Sequence, residues 1–257
     1  MQDMANRLKQ RLGEGAISFG PNLQIPSPFL VEIIAGAGFD YVLLDGEHGE
    51  AFGDLPGLII AADGAGISPI VRVPSHERAQ LIRPLELGAA GVQVPMVDTA
   101  AQARVLVNET KYAPLGTRGF SGVARSSRFG LTKPEEIAQV GNDRVLLIVQ
   151  IESAEGIANA AAIAAVPGVD MIFIGPSDLA QSLGVPGRPE AEEVAKAMRQ
   201  VVHDVDGVVP VATVAMNRDD VEMWAPLGIR CFLTSSINPI RHALEALAAD
   251  LNRGWSE

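Results

Sequence analysis

Along nearly the whole chain, short apolar or β-branched runs alternate with longer stretches whose apolar residues recur at helical spacing. The runs at 16–20, 41–45, 70–73, 91–97, 146–152, 171–175, 208–213 and 231–235 predict eight strands. Helical stretches lie between them at 28–36, 55–64, 79–87, 99–111 and 191–205, and a further one at 239–249 follows the last strand. Four helix-to-strand junctions repeat one device: AGAGFDYVLLD, AADGAGISPIVRV, LELGAAGVQVP and AVPGVDMIFIG. In each, a glycine ends the helix because it accepts a left-handed backbone cheaply, and a run apolar on both faces follows. Strand–helix alternation predicts a parallel sheet. Eight units in 257 residues predict its closure into a TIM-type (β/α)₈ barrel, one α/β domain spanning 1–257. No GxGxxG follows the first strand, which argues against a dinucleotide-binding open sheet.

The rhythm breaks once, at 112–138, where YAPLGTRGFSGVARSSRFG is rich in glycine and arginine. A connection of that length in a compact domain is usually functional or disordered.

Composition narrows the partners. A net charge of −11 offers nothing to neutralise phosphates, which argues against nucleic acid and anionic membrane surfaces. No apolar run approaches the roughly 18–20 residues of a membrane span. The opening MQDMANRLKQRLGEG reads as an amphipathic helix, without the apolar stretch of a signal peptide. A lone cysteine, Cys231, leaves no partner for an internal disulfide and suits a reducing cytoplasm.

Active sites of (β/α)₈ barrels form at the C-terminal ends of the strands, so the polar residues closing each run are the candidates. Strand two ends in Asp45-Gly46-Glu47-His48, strand three at Arg72, strand four in Pro95-Met96-Val97-Asp98, and strand seven in Thr213. Strand five carries Gln150 and Glu152, which alternation puts on one face. Strand six ends in Gly175-Pro176-Ser177-Asp178. Glu152 and Asp178 form the best metal pair: two hard oxygen ligands suit Mg²⁺ or Mn²⁺ and leave positions for water and substrate. The plain alternative for either is a surface acid at a loop start. Free backbone N–H groups at Ser177 and Asp178 suit a carboxylate, and the same motif is also an ordinary helix N-cap. His48, behind Asp45 and Glu47, is a candidate general base. Arg72 closes an otherwise apolar strand, where it serves either a developing enolate or a structural salt bridge with Asp45 or Glu47.

Absences weigh equally. None of Lys9, Lys111, Lys133 and Lys196 ends a predicted strand, so a Schiff-base aldolase lacks its nucleophile. Cys231 starts a strand, the wrong end for chemistry. His76, His203 and His242 lie near or within helices and read as structural or surface residues.

The segments AGAGFDYVLLDGEHG, GVQVPMVDTAAQA, KYAPLGTRG, VQIES and FIGPSDLAQSLG resemble the class II pyruvate aldolases of the HpcH/HpaI family. That resemblance implies a divalent metal, Mg²⁺, Mn²⁺ or Co²⁺, and cleavage of a 4-hydroxy-2-oxo acid to pyruvate, or hydroxypyruvate, and an aldehyde. It implies His48 as the base, Arg72 as the enolate-stabilising arginine, Glu152 and Asp178 as metal ligands, and Gln150 with the Gly175–Asp178 backbone as the pyruvyl-binding groups. It further implies a homohexamer, a trimer of dimers whose last helix is exchanged between neighbours. Glu86 matches a family position that usually holds aspartate and raises the basicity of the histidine. Glu86 ends a helix on the rim opposite its own His48, so it would serve a neighbouring subunit. The first strand and loop, SFGPNLQIPSP, departs from the family with Phe19, Pro21 and Asn22, on what should be the aldehyde side. A lyase of CoA thioesters using Arg118, Arg125 and Arg128, and a non-catalytic 2-oxo-acid binder, stand as alternatives.

Overall fold

The computed structural model describes residues 6–253. Eight parallel strands close into a barrel in sequence order, each paired with its chain neighbours and the first with the eighth. They are β1 (Ser18–Leu23), β2 (Tyr41–Asp45), β3 (Ser68–Arg72), β4 (Gly91–Val94), β5 (Leu146–Ile151), β6 (Met171–Ile174), β7 (Val211–Val214) and β8 (Ile229–Ser235). The helices are α1 (Arg7–Gly13), α2 (Pro28–Gly36), α3 (Leu55–Ala65), α4 (Arg78–Glu86), α5 (Ala100–Thr110), α6 (Pro134–Arg144), α7 (Ala154–Ala158), α8 (Ala160–Ala164), α9 (Pro176–Ser182), α10 (Glu192–Asp204), α11 (Arg218–Trp224) and α12 (Ile237–Leu251).

Strand alternation divides the apolar residues into two cores. Val42, Leu44, Val71, Val92, Val94, Leu147, Val149 and Ile172 face outward into the shell between sheet and helices. Tyr41, Leu43, Ile70, Ile148, Met171, Phe173, Ala212, Cys231 and Leu233 fill the barrel interior. Helix α1 closes that interior from below: Leu8 is fully buried in it, and its N–H donates to Ser68 Oγ at 3.1 Å. Asn6 Nδ2 ties the same helix to the carbonyls of Ala90 and Arg144 at 2.9 and 2.8 Å. The expected N-terminal helix is therefore present from Arg7; its first five residues lie outside the described range.

The glycine junctions behave as read. Gly38, Gly66, Gly88 and Gly168 all have positive φ, between 77° and 101°. Other bounds need correction. Strand β1 begins at Ser18 and runs through Pro21 to Leu23, because pairing of Ser18–Asn22 with Cys231–Ser235 overrides the Gly-Pro break. Strand β7 starts only after Pro210, and its pairing with β8 shifts register between Val211 and Ala212. Strand β4 stops at Val94, and β5 one residue before Glu152. Strand β8 begins at Ile229, so Cys231 lies within it, buried against Tyr41, and burial pushes its thiol up to about 12. The long break at 112–138 ends early: Pro134 at the first turn, with Glu135 and Glu136 behind it, starts α6.

Candidate active site

Above the apolar interior, at the C-terminal end of the strands, the inward side chains turn polar and form two hydrogen-bonded strings. In the first, Arg72 of β3 lies directly across from Asp45 of β2. Its Nε and Nη2 donate to the two carboxylate oxygens at 2.9 and 2.6 Å. Asp45 is fully buried and also accepts from Asn22 Nδ2 and from the backbone N–H groups of Glu47 and His48, each at 3.1 Å. Burial alone would raise the Asp45 carboxyl; the Arg72 hydrogen bonds and charge outweigh it and hold the group below the usual range. The salt-bridge alternative for Arg72 is thus realised. The bridge also fixes the turn that presents His48.

The second string runs from Gln93 through Gln150 to Glu152. Gln93 Nε2 donates to Gln150 Oε1 at 2.5 Å, and Gln150 Nε2 bonds Glu152 Oε2. The other Glu152 oxygen accepts from the Met96 N–H at 2.8 Å. Met96 reaches it with φ of 53°, a left-handed backbone that a β-carbon makes costly. Glu152 is 3% exposed. Burial lifts its carboxyl above the usual range against those two hydrogen bonds, and the Asp178 and Glu47 charges add to the rise. Burial likewise raises Glu47, offset in part by Arg72 and His48.

These strings floor and wall a cleft of about 470 Å³. His48, Arg72, Gln150, Gly175, Pro176, Ser177 and Asp178 line it, so the sequence-derived candidates converge on one mouth. Asp45 and Glu152 sit behind the wall, bonded to residues that form it. The His48 imidazole is largely exposed, with Nε2 3.8 Å from Glu47 Oε2. Gly175 leaves room for Glu152: a β-carbon there would come within 2.8 Å of its Oε2, so the carboxylate would have to shift. The short α9 that follows leaves its first N–H groups without partners inside the helix, at residues that line the cleft.

No group of three or more His, Cys, Asp or Glu with metal-site geometry occurs among the described residues. The donor set is instead two carboxylates, Glu152 and Asp178, with Glu47 near enough to repel both. Hard oxygen donors and a cluster of negative charge that Arg72 relieves only on its Glu47 side, at 3.4 Å, fit a divalent cation that keeps several positions for water and substrate.

Other candidates fall elsewhere. Glu86 ends α4 on the opposite rim, where it neighbours Arg118 rather than its own His48. Arg118 is buried over the Tyr112 ring, 4.7 Å from its centroid, and Arg125 is bound to Asp63 and the Leu87 carbonyl. Neither lines the cleft, which removes much of the basis for a CoA-binding patch. Thr213 donates to the Ile174 carbonyl at 3.1 Å and is structural. Lys111, the largest fully buried side chain, bonds Asp170 and the Val145 carbonyl at 2.5 and 2.7 Å, far from any nucleophilic role. Sequence reasoning missed the parts played by Asn22, Gln93 and the Met96 N–H. Only Gln93, an inward polar residue on an otherwise apolar strand, carried a signal.

Residues 23–230 match the family model described as HpcH/HpaI aldolase/citrate lyase. This chain belongs to the HpcH/HpaI family. Within it, the chain is 36% identical over 263 residues to a 4-hydroxy-2-oxovalerate aldolase of Novosphingobium aromaticivorans, spanning 100% of this chain and 97% of that one. It is 41% identical over 202 residues to a hydroxypyruvate/pyruvate aldolase of Pseudomonas aeruginosa, covering 78% and 75% of the two. The crystal structure of a family protein from Burkholderia cenocepacia J2315 superposes with a TM-score of 0.89 at 31% identity, over 96% of this chain and 100% of that one. As an HpcH/HpaI aldolase, the protein is a carbon–carbon lyase.

Proposed function

We propose that this aldolase cleaves 4-hydroxy-2-oxo acids to pyruvate, or hydroxypyruvate, and an aldehyde, and joins them in the reverse direction. The observation that carries this reading is the convergence of His48, Arg72, Gln150 and the carboxylates Glu152 and Asp178 at one mouth. Glu152 and Asp178 would hold Mg²⁺, Mn²⁺ or Co²⁺, which supplies Lewis-acid polarisation of a 2-oxo group when bound.

The protein's own groups do the rest. Gln150 and the N–H groups of Ser177 and Asp178 receive the substrate carboxylate, and Gly175 and Pro176 let it approach closely. His48 takes the proton of the C4 hydroxyl as the C3–C4 bond breaks and that bond's electron pair passes to C3 and the 2-oxo oxygen. Arg72 uses Nε and Nη2 on Asp45 and turns its remaining donors to the oxygen that gains charge. The proton returned to C3 completes the pyruvate methyl. Asp45 positions both Arg72 and the His48 turn.

Assembly belongs to this reading. Helix α12 buries no residue, and Ile240, Leu244, Leu247 and Leu251 expose an apolar stripe along it. Such a stripe suits exchange between subunits of a homohexamer, which would also let Glu86 act on a neighbour's His48. The reading is tested by assaying pyruvate release from a 4-hydroxy-2-oxo acid before and after exhaustive chelation, with light scattering for mass. Undiminished turnover without divalent ions, or in His48→Ala, overturns it.

A further inference from the structure

The cleft has two ends of different character. The end built by Gln150 and Gly175–Asp178 is spoken for by the 2-oxo acid. The other end lies between the tops of β7, β8 and β1, where Leu233 and Val214 supply apolar surface. Gln24, Thr234, Ser235 and Asn238 supply amides and hydroxyls there. Ser235 Oγ accepts the Asn238 N–H at 3.1 Å and keeps its own proton to donate. Among the described residues the Thr234 hydroxyl and the Gln24 and Asn238 side-chain amides have no hydrogen-bond partner, so each is open to a ligand.

Charge at this end is decided by what is missing from the wall. Among the described residues, Arg72 is the one arginine or lysine that lines the cleft, and both Asp45 oxygens hold it. His48 stands beside Glu47. Asp178 lines the same cleft, with Glu47 and Glu152 close by. A second carboxylate on the aldehyde would therefore lose its water at an end whose walls carry amides, hydroxyls and apolar surface but no arginine or lysine. A hydroxyl in the same place would find donors and acceptors.

We infer that the acceptor end selects a short, uncharged, hydroxylated aldehyde and rejects one carrying a carboxylate. The inference rests on the aldolase reading, and the test separates the two. Exchange of solvent deuterium into the pyruvate methyl needs no aldehyde and reports the donor half alone. With exchange observed, aldol addition is then compared for glyceraldehyde and tartronate semialdehyde, which differ only by CH₂OH against carboxylate. The expected result is a kcat/KM at least about tenfold higher for glyceraldehyde, with that ratio moved at least about tenfold toward the acid by Asn238→Arg or, beyond the end of the neighbouring β7, Met216→Arg. Equal or better use of tartronate semialdehyde by the unaltered enzyme overturns the inference, as does an unmoved ratio in both folded variants. Absence of exchange overturns the aldolase reading and the inference with it.

Discussion

The Arg72 guanidinium holds Asp45 through two donors, with Nε and Nη2 on separate carboxylate oxygens at 2.9 and 2.6 Å. The pair is nearly dry: Asp45 is fully buried and Arg72 8% exposed. Removing one partner would leave the other charged and uncompensated in the barrel mouth.

Asp45→Asn should therefore destabilise the fold by about 3 kcal/mol at neutral pH, measured by urea unfolding. The sign with pH follows from the lowered Asp45 carboxyl. The contribution is complete above the ordinary aspartate range near about pH 4 and is lost as the pH falls through the lower native value. Stability curves of the two proteins should converge only in that acid region.

Glu152 behaves oppositely. Its raised carboxyl means that the ionised form is held in the fold at a cost, which is absent in acid and present above the native value. Glu152→Gln, freed of that charge, should melt no lower than the parent in chelator. In divalent ions at about 100 times Kd the parent should gain about 2.7 kcal/mol, and the variant should gain none. Differential scanning calorimetry with and without Mn²⁺ reads both.

Gly175→Ala tests the space beside Glu152 Oε2, where the new methyl would stand 2.8 Å away. Since φ at this residue is −90°, alanine meets no backbone penalty, and the effect should fall on the carboxylate. Metal affinity by calorimetric titration should weaken by about tenfold or more, as for other disturbances around metal ligands, with the fold retained by circular dichroism.

Lys111 is a structural cation. Lys111→Ala should lower stability by about 3 kcal/mol, because it strips Asp170 and the Val145 carbonyl of their shared donor. Borohydride reduction in the presence of pyruvate should leave no covalent adduct on the parent protein by mass spectrometry.

The barrel was legible because its signals are local: glycine at the ends of helices, apolar runs between them, and polar residues where the runs stop. That rule brings His48, Arg72, Gln150, Glu152 and the Gly175–Asp178 turn to the cleft, since a strand end is visible in a sequence. The extent of β1 was not, because Pro21 is kept in the strand by pairing with β8, two hundred residues away. Asn22 and the Met96 N–H escaped for the same reason. One gains its part only when β1 lies beside β2, and the other only through a left-handed turn at a residue with no glycine to announce it.

Leu8 and its helix stopper the barrel from below, so the cleft is a room with a single door. Gln150 stands at the back, 2% exposed, while Met216 and Asn238 stand in the doorway. Traffic in such a room is sequential. With the 2-oxo acid seated at Gln150 as proposed, the aldehyde would leave first in cleavage, and in synthesis the 2-oxo acid would have to be seated before the aldehyde arrives. On that seating the fold would impose an order on events that the chemistry alone would leave free.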